Sequence, residues 1–313
     1  LSYNGILKLL SFEHFGRSFV LAAQPTASSV RLFELDQSGN AVVKSVVSDT
    51  SARYLSNVSE LAVVNTGGKT YIYAASEIEN GLTVLSLSSG CQLSHVQDIG
   101  VSQSLPVSQI SCMKAVDLDA EQFLIVSAAE SHSLTVLRVL EDGTLLPTDH
   151  IIDDVNLRIA EVRSLATLSY EGRVLVAAAG GDGGLSVFEL LPTGQLLFLV
   201  SKAGSAQYSF PKIDQMDFLK VNDTAVLMFK DASGHALASV SIHLSRLSAA
   251  GSMASNSNDL IIAYEGQNVL DGKAGDDILV DNTGTQFLTG GQGRDRFVLG
   301  EDGGVDYIKD FSI

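Results

Sequence analysis

Glycine, aspartate and an aliphatic residue recur in a fixed nine-residue phase from Ala254 onward. The glycine slot holds Ser257, Gly266, Gly275, Gly284 and Gly293. The acid slot, two places on, holds Asp259, Asn268, Asp277, Gln286 and Asp295, and the apolar slot holds Ile261, Leu270, Leu279, Leu288 and Phe297. Glycine admits positive φ in a tight turn, and an apolar residue two places past the acid gives a short strand with one inward face. The chemistry is that of a hard cation. Calcium takes about six to eight oxygens at roughly 2.3 to 2.6 Å, which two stacked turns can supply through Asp side chains and turn carbonyls. Two nonapeptides make one coil, so Asp259, Asp277 and Asp295 stack on one side. Asn268 and Gln286, which are neutral and weaker donors, stack on the other.

Two copies, Gly272-Lys-Ala-Gly-Asp-Asp-Ile-Leu and Gly290-Gly-Gln-Gly-Arg-Asp-Arg-Phe, follow the pattern G-G-x-G-x-D-x-U-x. In this the tail resembles the RTX, or haemolysin-type, calcium-binding repeat proteins. The resemblance implies a parallel β-roll over residues 251–313. The leading metal site is then Asp277 with Asp295, completed by carbonyls around Gly272, Gly275, Gly290 and Gly293. Asp259 with Asp277 ranks second, because the first turn, Ala-Ser-Asn-Ser-Asn-Asp, has no glycine. Gly304-Val-Asp-Tyr-Ile-Lys-Asp-Phe resembles the segment that closes such rolls, with Asp306 and Asp310 capping the last turn. The plainer alternative is a metal-free ladder in which Asp merely favours turns, but it leaves the phased Gly-x-Asp unexplained. Without cations the Asp column repels itself, and so thin a core does not offset the ordering entropy. Metal binding and folding are therefore expected to be one event.

A second period runs through the first 245 residues. Its marker is an apolar alternation beginning at Ser29, Gly81, Ser133, Gly184 and Ala236, and the aligned Phe33, Leu85, Leu137, Phe188 and Val240 stand 51 or 52 apart. An alanine-rich strand precedes each of the first four markers, as in Tyr71-Ile-Tyr-Ala-Ala and Val174-Leu-Val-Ala-Ala-Ala, and Val226-Leu-Met-Phe precedes the fifth. Such small residues suit strands crowded near an axis. Turns with Gly39, Gly90, Gly143 and Gly194 follow four markers. Four short strands in about 50 residues make a β-propeller blade. The fold class expected is all-β: a propeller of about five visible blades over residues 1–250, then the β-roll. An open β-sandwich array is the alternative. The blade phrasing, as in Leu-Ser-Val-Phe-Glu-Leu followed by Gly-Gln-Leu, resembles lactonase-type propellers. The last blade lacks a recognisable outer strand, which leaves ring closure open.

A net charge of −16 argues against nucleic acid or an anionic membrane surface as partner and favours cations. No apolar run reaches the ~18 residues that cross a bilayer, and the N-terminus has no signal-peptide pattern. Cys91 and Cys112 sit in no metal or redox spacing and are expected to be free thiols. The RTX resemblance implies one-step export from a bacterium with an uncleaved C-terminal signal. None follows Ile313 and the chain opens on Leu1, so the natural protein is expected to continue.

Four of the five loops that follow these upstream, mostly alanine-rich strands carry an acid: Glu77, Glu130, Asp182 and Asp231, with Gln24 in the first. With Glu60 and Glu161 they would form an acidic ring for a cation or a polyhydroxylated ligand. The plain reading is a solvated rim repeated by duplication. There is no H-E-x-x-H and no G-x-S-x-G, which disfavours zinc proteases and lipases. The six histidines, among them His132 and His235 near the loop mouths, show no ligand spacing, and Gly180-Gly-Asp-Gly-Gly sits between strands as a turn. The expectation is a secreted, calcium-binding protein whose propeller binds a glycan, matrix or protein partner. The alternative is an extracellular hydrolase of lactonase or phosphoesterase type with a metal at the propeller mouth. A third reading makes the propeller material for self-association.

Overall fold

The computed structural model describes residues 8–24, 28–154, 157–203, 212–231, 237–244, 256, 258–263, 269–281, 284–300 and 304–311. The chain divides into two compact units, residues 1–218 with 227–239 and residues 219–226 with 240–313.

The first unit is built of β-propeller blades. Each of the first four is a four-stranded antiparallel sheet in sequence order. The strands are β1 (Lys8–His14), β2 (Arg17–Gln24), β3 (Ser29–Leu35) and β4 (Ala41–Ser48); then β5 (Val58–Thr66), β6 (Lys69–Ser76), β7 (Gly81–Leu87) and β8 (Leu93–Gly100). The next two sheets are β9 (Ile110–Leu118), β10 (Glu121–Ala128), β11 (Ser133–Val139) and β12 (Leu145–Ile152), and β13 (Ser164–Tyr170), β14 (Arg173–Ala179), β15 (Gly184–Leu190) and β16 (Leu196–Ala203). A fifth sheet has three described strands, β17 (Ile213–Val221), β18 (Thr224–Asp231) and β19 (Leu237–His243). The five markers are thus the third strands. Each four-stranded sheet slips register at the same place between its third and fourth strands, at Leu32/Phe33, Val84/Leu85, Val136/Leu137 and Val187/Phe188. A bulge there sharpens the twist of the outer hairpin.

The outer hairpin turns on a left-handed residue whose N–H donates to the carbonyl three places back: Gly39 to Asp36, Cys91 to Ser88, Gly143 to Leu140 and Gly194 to Leu191. In the second blade that residue is Cys91 and not the neighbouring Gly90. Cys91 and Cys112 are both free.

The strands that face one another from sheet to sheet are the first strands, β1 against β5, β5 against β9 and β9 against β13. The alanine-rich strands, expected near the axis, are the second strands. Ala74, Ala75, Ala128, Ala177, Ala178 and Ala179 are fully buried there, and their small size lets whole sheets pack face to face. One apolar cluster lies between the first and second blades around Leu21, Leu32, Leu61 and Ile72. A second lies between the second and third around Val84, Leu124 and Leu137, and a third between the third and fourth around Ile125, Val136 and Val176.

Serine hydroxyls stitch neighbouring sheets. Ser59 donates to the Ile110 carbonyl at 3.1 Å, and Ser111, 52 residues on, donates to the Val162 carbonyl at 2.6 Å. Ser111→Ala is expected to cost ~1 kcal/mol, since it leaves a carbonyl less well bonded. Urea unfolding with a lower midpoint and unchanged slope would show it.

An ion pair joins the second and third strands of the first blade, where Glu34 faces Arg17 and Lys44. The Arg17 and Lys44 hydrogen bonds bring the Glu34 carboxyl from 4.5 down to about 2. A depressed folded-state value contributes stability that is present above about pH 4.5 and lost as pH falls through about 2. Glu34→Gln is therefore expected to flatten the acid limb of the stability curve in that window, with its cost, small for so exposed a pair, present at neutral pH and vanishing as pH falls through about 2. Equal acid sensitivity in the variant would count against it.

In the second unit the strands are short and parallel: β20 (Leu260–Ile262), β21 (Val269–Asp271), β22 (Ile278–Val280), β23 (Phe287–Thr289), β24 (Arg296–Val298) and β25 (Tyr307–Ile308). They form two three-stranded sheets, β20-β22-β24 and β21-β23-β25. Leu260 pairs with Ile278 and Ile278 with Arg296, steps of 18 residues, whereas Phe287 pairs with Tyr307, a step of 20. Ile261, Leu270, Leu279 and Leu288 share one core with Phe297 and Ile308 packed against it. Among the described residues no helix is long and apolar enough to cross a membrane.

Candidate functional site

In the tail the turns after each short strand bring acids of successive coils together. Asp277 is 1% exposed. Its Oδ1 accepts the Asp259 N–H at 2.8 Å, and its own N–H donates to Asp295 Oδ1 at 3.1 Å. Asp277 Oδ2 is buried without a hydrogen bond to any described residue. A Cβ at Gly272 would overlap both that oxygen and the Gly290 carbonyl oxygen. Likewise a Cβ at Gly290 would overlap Asp295 Oδ2, and one at Gly293 the Gly275 carbonyl. These glycines are needed because oxygens crowd the space a side chain would fill. Burial pushes the Asp277 carboxyl up, the Asp259 N–H pulls it back, and the charges of Asp259, Asp295 and Asp276 push it up further. A cation beside Oδ2 would relieve both the burial and the repulsion.

Asp306 and Asp310 are engaged otherwise. Asp306 Oδ1 accepts the Gln286 N–H at 2.9 Å, and the two Asp310 oxygens accept the Gly290 and Gly291 N–H groups at 2.9 and 2.6 Å. The sequence reading passed over two further acids. Asp276 Oδ1 accepts the Arg294 N–H at 2.8 Å, and Asp281 accepts the Gly300 N–H through both oxygens at 2.9 Å. Both tie one coil to the next across 18 or 19 residues. Ser257, Gly266 and Asn268 lie outside the described residues.

At the propeller loops the acids serve mainly as acceptors between loops. Glu77 takes Asn57 Nδ2 at 3.2 Å and Gln109 Nε2 at 3.1 Å, and Glu130 takes the Ser108 hydroxyl at 2.6 Å. Asp182 is half-buried; burial and then the Asp153 charge push its carboxyl up. The side chains of Asp231 and Gln24 lie outside the described residues, as does His235. Among the described residues no three His, Cys, Asp or Glu side chains gather to hold a metal. His132 has a different use: its Nδ1 accepts the Glu161 N–H at 2.7 Å, as Asn80 Oδ1, 52 residues earlier, accepts the Gln109 N–H at 2.8 Å. Both latch one blade to the next. His14, His95 and His150 bond Thr70, Asp98 and Thr135.

A cavity of about 1050 Å³ that no sequence motif marked is lined by first strands together with β18 and the start of β19 of the fifth sheet. Lys8 comes from β1, Glu60 from β5, Ser111, Cys112 and Lys114 from β9, and Arg163 from the residue before β13. Glu60 Oε1 accepts Lys8 Nζ at 2.7 Å. Burial pushes the Glu60 carboxyl up, while Lys8 and then Lys114 hold it down. Burial and then the Glu60 charge push the Cys112 thiol up, so it stays protonated and unreactive. The repeat held the clue, because residues 8, 60 and 112 stand 52 apart and share one slot.

No protein-family model matches this sequence, and no curated protein matches it. Among solved structures, a periplasmic gluconolactonase of Pseudomonas aeruginosa aligns over 75% of this chain and 69% of its own, at 17% identity and a TM-score of 0.49. A Lactobacillus plantarum protein aligns over 71% and 67%, at 15% identity and 0.45. An exo-β-1,3-galactanase of Phanerochaete chrysosporium aligns over 71% of this chain at 8% identity and 0.45, and this chain covers 55% of that enzyme.

Proposed function

We propose that this protein binds calcium in its C-terminal coils and uses its propeller as a ligand-binding module outside the cell. The observation that carries the calcium reading is the buried Asp277 Oδ2, which has no hydrogen bond to a described residue and shares with the Gly290 carbonyl the space beside Gly272. Oxygens of a carboxylate and of glycine turns are the donors a hard cation takes. We read the two parallel sheets as faces of a calcium-binding β-roll. Asp277, Asp295 and the carbonyls of Gly272, Gly275, Gly290 and Gly293 would hold the ion, with Asp259 at a second position. Bound calcium would supply positive charge to the Asp column, and the chain would supply its carboxylate and carbonyl oxygens as the turns form. Affinities of modest strength, about 10⁻⁴–10⁻³ M, suit extracellular calcium, and secretion is the setting this reading requires. The test is titration of the whole chain with calcium by calorimetry and circular dichroism. The expected result is a gain of β signal that saturates in the micromolar to millimolar range; no response to calcium overturns the reading.

A second reading, an extracellular hydrolase, draws on Glu60, a carboxyl raised by burial inside the large cavity. Such a group suits a general acid or base. Lactone and phosphoester hydrolysis, compared between the whole chain and Glu60→Gln, decide it. Turnover lost in the variant favours an enzyme, and no turnover in either favours a binding module.

A further inference from the structure

The cavity carries a charge balance opposite to that of the protein. The chain holds 36 acidic and 20 basic residues. Among the described residues that line the cavity, however, the four cations Lys8, Lys114, Arg163 and Lys230 outnumber the three acids Glu60, Asp214 and Asp217, and Glu161 beside Arg163 lies outside the lining. Two of those cations are matched, Lys8 by Glu60 at 2.7 Å and Lys230 by Asp214 at 3.8 Å. Lys114 and Arg163 form no ion pair with a described residue, and they come from β9 and from the start of β13, strands that pack against each other. An exposed cation on a convex surface needs no explanation. Lys114 and Arg163, without an ion pair to a described residue, line one concavity, where protein walls focus the field of such cations inward.

We propose that the propeller channel takes a small ligand bearing a carboxylate or a phosphate monoester, with the anionic group seated on Lys114 and Arg163. This inference rests on the propeller's being a ligand-binding module and names the chemistry of what it binds. The two side chains are complementary in use: guanidinium offers a planar fork that matches two oxygens of a carboxylate or phosphate, and ammonium offers a compact charge. The neighbouring Glu60 is neutralised by Lys8 and so does not repel an anion from the site. The acidic loops therefore do not define the ligand, which is an anion and not a second cation.

The experiment uses the whole chain in calcium-containing buffer at fixed ionic strength. Succinate and methyl phosphate serve as probes of the two anion classes, with a neutral disaccharide, cellobiose, as the uncharged control, all read by ligand-observed magnetic resonance. One or both anions are expected to bind the native protein and to lose ~10-fold or more in affinity on the double change Lys114→Glu with Arg163→Glu. A charge-removing pair, Lys114→Met with Arg163→Gln, should weaken binding in the same direction. Both side chains are exposed, so unchanged near-ultraviolet dichroism is expected and confirms the fold. The better-bound probe tells carboxylate from phosphate. Anion binding that survives in both variants overturns the proposal. Cellobiose binding without anion binding overturns it while leaving the ligand-binding module intact, and no binding of any probe counts against both.

Discussion

Asp277→Ala is expected to abolish the calcium-dependent gain of β structure and to raise the calcium dissociation constant by ~100-fold or more, about 2.7 kcal/mol. The size follows from what the side chain does at once. Oδ2 is the buried oxygen set against the Gly290 carbonyl, and Oδ1 holds the Asp259 N–H of the preceding coil. Alanine removes both the ligand and the tie between coils. Asp277→Asn separates these effects, since an amide keeps one oxygen and nearly the same shape but loses the charge. An intermediate affinity is expected for it, with the coil tie preserved. Gly272→Ala approaches the same site from the other side by placing a methyl group among its oxygens. Loss of calcium response in the glycine variant with Asp277 intact would show that the space itself matters. Retained binding in Asp277→Ala would move the metal elsewhere in the chain.

Glu189→Ala is expected to destabilise the propeller by ~3–5 kcal/mol, more than any single loop change. Glu189 is 2% exposed and meets Arg173 through both carboxylate oxygens. Burial pulls the Arg173 guanidinium down, but the Glu189 hydrogen bond and charge outweigh it, and the net shift is upward. Removing the carboxylate takes away the group that compensates a largely buried charge, although Arg173 would keep its place over the Tyr170 ring at 5.4 Å. The first blade provides an internal control. Arg17 and Glu34 occupy the corresponding strands, but Arg17 is 41% exposed and solvent screens the pair, so Glu34→Ala at neutral pH should cost far less than Glu189→Ala. Denaturant unfolding of the two variants side by side measures the difference, and equal costs would contradict the burial argument. Replacing Arg173 and Glu189 together by methionine should recover much of the loss, because paired charges are removed without leaving one behind.

Strand content was legible because the chain repeats itself. Phe33, Leu85, Leu137 and Phe188 mark third strands that the structure places in the same sheet position. Periodicity fixes which residues are equivalent, but it does not say which strand is innermost. Hence alanine, read as a sign of the axis, proved to be a sign of close contact between sheets. The left-handed turn at Cys91 was hidden for a related reason: glycine is the usual occupant of such a position, and Gly90 stood next to it. The loop acids were visible as a series, yet their hydrogen bonds to Asn57, Gln109 and Ser108 depend on loops from different points in the chain. The cavity escaped because its slot changes chemical type at each repeat, from Lys8 to Glu60 to Cys112, and a search for recurring residue types does not register a position that varies. In the tail the nine-residue phase located the core residues Ile261, Leu270, Leu279 and Leu288 directly. It did not announce Asp276 or Asp281, whose partners are backbone N–H groups that carry no sequence signature.

Among the described residues no strand of one blade pairs with a strand of another. What crosses between blades includes apolar contact, the hydroxyls of Ser59 and Ser111, the latches at Asn80 and His132, and side-chain bonds such as Lys8 to Glu60 and His14 to Thr70. Each blade is thus a self-contained sheet joined to its neighbours mainly through side chains, with a backbone bond from the Ile213 N–H to the Gly180 carbonyl between the fourth and fifth sheets. A copying event that adds or deletes one 52-residue parcel has no strand pairing between sheets to rewrite, and a serine and a latch residue travel inside the parcel. The array can in this way change its membership by inheritance of whole blades, while the slots lining the cavity are left to diversify one residue at a time.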